Sequence, residues 1–165
     1  MNGDVKITEE LQPGDIGQLV YLHGWLYAEE CGYDRNLELY VAKGICDAML
    51  GDRGNGCRFW LAKAADTLVG AVAVVEHSDE TAQLRWFLVR PDHRRCGLGK
   101  ELFRRAVAHC REKNYAETFL DTTAEQTTAI RMYEAAGFVK IAEHASAAWG
   151  KTLVEERYRL LLRPR

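Results

Sequence analysis

The sequence predicts an α/β domain built on a mixed sheet. Three observations lead there. Short runs rich in β-branched and aromatic residues are interleaved with stretches of helical apolar spacing. Strands follow one another in mid-chain and again at the end, so hairpins and crossovers must coexist. The chain has 165 residues, 47% of them hydrophobic, with no repeat, low-complexity tract or internal boundary. That suits one domain over residues 1–165 with a full-sized core.

Residues 5–11 read as a short edge strand, broken by Pro13 and Gly14. Asp15 then caps a helix to about residue 31, in which Ile16, Leu19, Val20, His23, Leu26 and Tyr27 keep helical spacing. His23 interrupts that apolar stripe. Asp34 caps a second helix with Leu37, Val41, Ile45 and Met49 on one face, and the run GDRGNG at 51–56 ends it. Strands follow over 58–64, 68–77 and 82–89, with a hairpin turn at SDET. A glycine loop opens a helix whose apolar positions are Leu98, Leu102, Phe103, Ala106, Val107 and Cys110. A strand at 117–122 comes next, then a helix from Thr127 or Thr128 that Gly137 stops. Strands at 138–144 and 154–162 complete the sheet.

Charge and cysteine usage narrow the function. The formal net charge is −2 and the pI about 6.2, which argues against a general nucleic-acid binder. The basic residues are instead clustered: His93, Arg94, Arg95, Lys100, Arg104 and Arg105. A local cationic patch on an acidic protein points to one small anionic ligand. The five cysteines lack metal-site or disulfide spacing, and no metal is expected. Cys96 lies in the glycine loop, either as a small residue in a tight turn or as a thiol near a helix N-terminus. Without a secretory or membrane-spanning segment, the expectation is a cytoplasmic protein that binds neither membrane nor nucleic acid.

The loop reads Arg94-Arg95-Cys96-Gly97-Leu98-Gly99-Lys100. It is not a Walker A motif, because Arg94 stands where the first glycine belongs and Glu101 follows Lys100. It is not a dinucleotide fingerprint either, since Leu102 takes the third glycine's place. The physics of an anion site remains: glycines allow a tight turn, and N–H groups converge where a helix begins.

Arg-x-x-Gly-x-Gly at Arg94–Gly99, followed downstream by AIRMYEAAGF, resembles the two signatures of the GNAT family of N-acetyltransferases. The likeness covers the chain from about Val5 to Leu162. The stretch 13–34 is similar to the start of the acetyltransferase half of regulators that fuse a MarR-type domain to a GNAT domain. The resemblance implies a mostly antiparallel sheet of about six or seven strands with about four helices, and central parallel strands that splay apart. It implies acetyl-CoA as co-substrate and a primary amine of a small molecule or peptide as acceptor. Main-chain groups of Leu88, Val89 and Arg90 would pair with the pantetheine arm. Amides of Arg94, Arg95, Cys96, Gly97, Leu98, Gly99 and Lys100 would hold the pyrophosphate, with mobile charge from Arg94, Arg95 and Lys100.

Tyr133 matches the family's tyrosine acid, although a core aromatic on an amphipathic helix would look the same. Gln126 stands where many members carry an asparagine, and with its amide it is the expected cofactor contact at that position. Gln83 occupies the position of the glutamate base found in some members, and it cannot take a proton. The base is therefore open among Glu29, Glu76, Glu80, Asp121 and His23, or a water relay. His23, Tyr27, Glu29, Glu76 and Gln83 are the expected acceptor-side residues. Homodimers are frequent in the family. A non-catalytic acyl-CoA sensor is the competing reading.

Overall fold

A computed structural model describes residues 4–51 and 56–163; part of the GDRGNG turn lies outside them. The elements are β1 (Val5–Thr8), α1 (Asp15–Cys31), α2 (Asn36–Leu50), β2 (Cys57–Ala64), β3 (Thr67–Ser78), β4 (Thr81–Val89), α3 (Leu98–Glu112), β5 (Glu117–Thr123), α4 (Thr127–Ala135), β6 (Val139–Ser146) and β7 (Leu153–Leu161). The sheet has seven strands in the order β1-β2-β3-β4-β5-β7-β6. Among the described residues only β4 and β5 pair in parallel. A parallel pair needs a crossover connection, and α3 supplies it.

The central strands are buried on both faces, which is why β3 reads as a near-continuous apolar run. One face packs α3 and α4 through Leu102, Phe103, Ala106 and Tyr133. The other packs α1 and α2 through Leu19, Leu22, Val41 and Ile45. Full burial of a side chain such as Leu102 stabilises by roughly 2 kcal/mol. Edge strand β6 is exposed for almost its whole length and carries Lys140, Glu143 and His144, charges that blunt an open edge.

Strand β1 is shorter than its 5–11 pattern predicts. Its ladder ends where Thr8 pairs with Leu61. Beyond it Glu9 turns its carboxylate to Arg58 and to the Trp60 indole. Asp15 does not cap α1 in the expected way. It is buried, accepts the Gln12 N–H at 2.8 Å and pairs with Lys63 at 2.7 Å, so it pins the helix start to β2. Asp34 is not the N-cap of α2, a place taken by Arg35; one residue earlier, it accepts the Asn36 N–H at 2.9 Å.

Candidate active site

Strands β4 and β5 stay in register from Thr81↔Glu117 to Leu84↔Leu120 and then part. Beyond that point β4 carries a bulge opposite β3 between Ala71 and Ala73, and Trp86 adopts φ +50°. A bulky residue there is strained, and such strain collects at functional sites. The bulge bends β4 away and opens a wedge in the sheet.

Three features meet at that wedge. The first is the edge of β4. Neighbouring residues on a strand present their amides to opposite sides. The Arg90 N–H donates to the Val69 carbonyl on β3 at 2.8 Å, and Leu88 lies opposite Ala71. The main chains of Leu88 and Arg90 are thus turned to β3, contrary to expectation, and Val89 alone of the three faces the opening.

The second feature is the start of α3. Arg95 and Gly97 have φ +63° and +87°, which curls the loop so that its N–H groups converge. The first intrahelical bond runs from the Glu101 N–H to the Gly97 carbonyl. The N–H groups of Leu98, Gly99 and Lys100 precede it and have no protein partner among the described residues. The buried Leu98 side chain roots the turn in the core. A Cβ on Gly99 would lie 3.4 Å from Val89 Cγ2, so hydrogen there keeps the surface low beside the open edge.

Arg94 is not the mobile charge that the sequence suggests. Its Nε donates to the Val89 carbonyl at 2.8 Å, and its two terminal nitrogens grip Glu30 at 2.6 and 3.1 Å. It clamps α1 to the loop. Arg95 and Lys100 are exposed and have no ionic partner among the described residues. Cys96 is also exposed, and its thiol donates to the His93 carbonyl at 3.0 Å. Arg94→Ala is therefore expected to weaken acetyl-CoA and a pantetheine fragment by similar factors. Arg95→Ala and Lys100→Ala should weaken only the ligand that carries nucleotide phosphates. Isothermal titration with both ligands checks this, and a phosphate-selective loss for Arg94→Ala would contradict the clamp.

The third feature is Tyr133 on α4. Its ring sits among Phe87, Phe103, Phe138 and Tyr158 with centroids 5.5–6.4 Å away, and it lines the cleft. Among the described residues only Trp86 Nε1 is a buried side-chain polar atom without a partner. The Tyr133 hydroxyl, which has none, therefore opens on the cleft. Burial pushes its pKa well above the ordinary tyrosine value.

The cleft has a volume of about 140 Å³. His23, Tyr27, Gln83 and Gln126 line it. Gln83 donates to Asp121 at 3.0 Å, and Gln126 turns its amide to the Cys31 sulfur at 3.3 Å. Glu76 and Glu29 do not belong to it. Glu76 accepts the Tyr115 hydroxyl at 3.1 Å, at the end of the sheet where β4 and β5 are still paired, and Glu29 is exposed on α1. Arg85, Trp86, Trp149 and Glu155 also line the cleft and were missed. Each looks like an ordinary strand or loop residue in its own window. Among the described residues no cluster of His, Cys, Asp or Glu is placed to hold a metal, and no helix is long and apolar enough to cross a membrane.

The sequence model of the acetyltransferase (GNAT) family matches residues 21–138, the stretch that holds all three features. The chain belongs to the GNAT acetyltransferase family. Human N-acetyltransferase 8 is 32% identical over 124 residues, covering 68% of this chain and 54% of that protein. The chain thus spans about half the length of such curated relatives. An acetyltransferase from Streptococcus agalactiae superposes with TM-score 0.77 at 27% identity, covering 96% of this chain and 98% of that one. A Salmonella typhimurium acetyltransferase solved with acetyl-CoA has the same fold, with TM-score 0.70 at 17% identity, covering 98% and 95%. GNAT enzymes use acetyl-CoA as co-substrate. The Val89 N–H, the unpaired α3 amides, Arg95 and Lys100 fit that molecule.

In this GNAT domain His23 is almost fully buried, and its Nδ1 lies 2.8 Å from the Leu19 carbonyl oxygen. A carbonyl only accepts, so Nδ1 carries the proton and Nε2 is left as an acceptor. Burial lowers the pKa to about 4. The unfolded chain, with His near 6.5, takes up this proton first as pH falls. The associated stability is whole above pH 6.5 and is lost as pH drops toward about 4. The shift corresponds to about 3 kcal/mol. Urea unfolding at pH 7.5 and 4.5 should show a wild-type loss that His23→Gln largely removes. Equal losses in both proteins would mean that His23 does not titrate as a buried group.

Proposed function

We propose that this chain is an N-acetyltransferase that moves an acetyl group from acetyl-CoA to a primary amine by direct attack in a ternary complex, with the whole chain acting as one domain. The observation that carries the reading is the placing of the Val89 N–H and the free α3 amides beside the Tyr133 cleft: a Cβ on Gly99 would lie 3.4 Å from Val89 and 3.7 Å from Phe87, and Phe87 lines the cleft with Tyr133. Acetyl-CoA, when bound, supplies an activated acyl group and a thiol leaving group. The chain's residues supply the rest.

The amides of Leu98, Gly99 and Lys100, with the side chains of Arg95 and Lys100, hold the pyrophosphate. The Val89 N–H side of β4 receives the extended amide-bearing arm in the manner of strand addition. Tyr133 donates its proton to the departing sulfur. Its raised pKa keeps the hydroxyl protonated across the working pH range and lowers its acid strength, so it acts first by hydrogen bonding to the sulfur. The cleft's aromatic walls exclude water and orient the acceptor.

The acceptor enters as the neutral amine, its proton already given up to bulk solvent. An alkylammonium has a pKa of about 10. His23, at about 4, is some six units too weak, a gap of about 8 kcal/mol. It can accept a hydrogen bond from an amine that is already neutral. Asp121 is engaged by Arg157 at 2.7 and 2.9 Å and by Gln83. On this reading kcat/KM rises about tenfold per pH unit below the amine's pKa.

The test is release of free CoA from acetyl-CoA with a panel of amines, alongside calorimetric acetyl-CoA binding. The enzyme binds and releases thiol in proportion to amine acetylated. Binding without release for every amine would leave the acyl-CoA sensor as the better reading.

A further inference from the structure

The charged groups that line the cleft are unevenly balanced. Asp121 is neutralised by Arg157. Glu155 lies 3.9 Å from His144 Nε2. Arg85, on β4 just past the point where β5 departs, has no carboxylate partner among the described residues. Its Nη2 donates to the Tyr40 hydroxyl at 3.3 Å. Its guanidinium carbon lies 4.7 Å from the Trp86 ring and 5.7 Å from the Tyr40 ring. Those contacts hold the planar fork in place and leave most of its five donors open.

The fold makes room for this arrangement. Gly44 is buried in the middle of α2, and a Cβ built on it would come within 2.9 Å of Arg85 Nη2. Glycine inside a helix is disfavoured against alanine by about 1 kcal/mol. Here it leaves the gap in which the guanidinium lies. A cation held at a fixed angle in a partly dry cleft, without a counter-charge, is suited to an anion that arrives from outside.

We infer that Arg85 receives the carboxylate of the acceptor, so that the amine acetylated is an amino acid or a similar carboxylate-bearing amine. This rests on the acetyltransferase reading above. The rings of Tyr33, Tyr40 and Trp149 form a continuous wall with centroids 5.1 and 5.7 Å apart and accommodate an apolar or aromatic body. With Asp121 occupied by Arg157, Glu155 is the remaining acid that lines the cleft. That suits an acceptor with one ammonium and not a polyamine with several.

The experiment compares kcat/KM, read as thiol release, for L-phenylalanine and L-phenylalaninamide and for L-leucine and L-leucinamide. Spermidine serves as the amine without a carboxylate. Arg85→Gln should lower the acid-to-amide ratio by about 10–100-fold, the usual worth of a charge-assisted pair. Taking the ratio between variants cancels the differing basicity of the two amines. Arg85→Lys should fall between, because an ammonium keeps the charge and loses the fork. Gly44→Ala shifts the guanidinium without touching the acceptor, and should lower the ratio in the same direction.

An unchanged ratio in Arg85→Gln overturns the assignment, as does a wild-type enzyme that acetylates spermidine and the amides but neither acid. If wild type binds acetyl-CoA and acetylates no amine, the acetyltransferase reading fails. The carboxylate site is then decided by titrating L-phenylalanine into the CoA-loaded protein. Binding at least tenfold weaker in Arg85→Gln supports it, and equal binding overturns it.

Discussion

Tyr133→Phe is expected to lower kcat by about 10²–10⁴-fold while leaving acetyl-CoA affinity within about twofold. The substitution keeps the ring, so the contacts with Phe103 and Phe138 survive. Only the hydroxyl that opens on the cleft is removed. A CoA thiol behaving like a free cysteine has a pKa of about 8.5. A thiolate can leave unaided, but it leaves faster when a proton is at hand. Tyr133 holds its proton across the working pH range, because burial disfavours the phenolate. Single-turnover rates and calorimetric titration of the variant measure the two quantities separately. Turnover at the wild-type rate would take Tyr133 out of the chemistry. Loss of cofactor binding or of the folded state would make it a packing residue.

Gly97→Val is expected to reduce acetyl-CoA affinity by about 100-fold or more while the global fold persists. Gly97 sits at φ +87° as the N-cap of α3. Among the described residues, its chain neighbours aside, nothing lies within 4 Å of a Cβ built there, so the obstacle is backbone strain and not a clash. A β-branched residue at that angle costs on the order of 1–3 kcal/mol. The chain relieves this by rotating the turn, which disperses the N–H groups of Leu98, Gly99 and Lys100. A side chain would also occupy the approach that a phosphate needs. Gly99→Val acts differently. Its Cβ meets Val89 Cγ2 at 3.4 Å, so its cost is crowding of the open β4 edge. Circular dichroism on the variants separates folding from binding, and wild-type affinity in folded Gly97→Val would refute the pyrophosphate assignment.

Much of this was legible in the linear sequence because it is local. The order of strands and helices follows from apolar period. The glycine turn follows from a backbone angle that side chains resist. Gly137 stops α4 at φ +92°. Asp34 accepts the Asn36 N–H from two residues away. Each of these is decided by neighbours within one or two turns of chain. The loop and Tyr133 could be singled out because their motifs are short and contiguous.

Other parts were decided only by the tertiary structure. Arg94 reads as one more basic residue, yet its clamp partner Glu30 lies 64 positions away. Glu76 reads as a candidate base, but the fold gives it to Tyr115. Leu88, Val89 and Arg90 read alike, while the pairing with β3 turns only Val89 toward the opening. Arg85, Trp149 and Glu155 come from β4, from the turn between β6 and β7, and from β7. They share a cleft because β7 is placed between β5 and β6 and because β4 and β5 part after Leu84 and Leu120. By itself the sequence determined the elements and the turn conformations, which depend on short-range sterics and periodicity, and its two short motifs marked the family. Which charges are spent on the protein and which are left for a ligand depends on strand order and register. These arise from pairing between distant segments, and no window of sequence contains them.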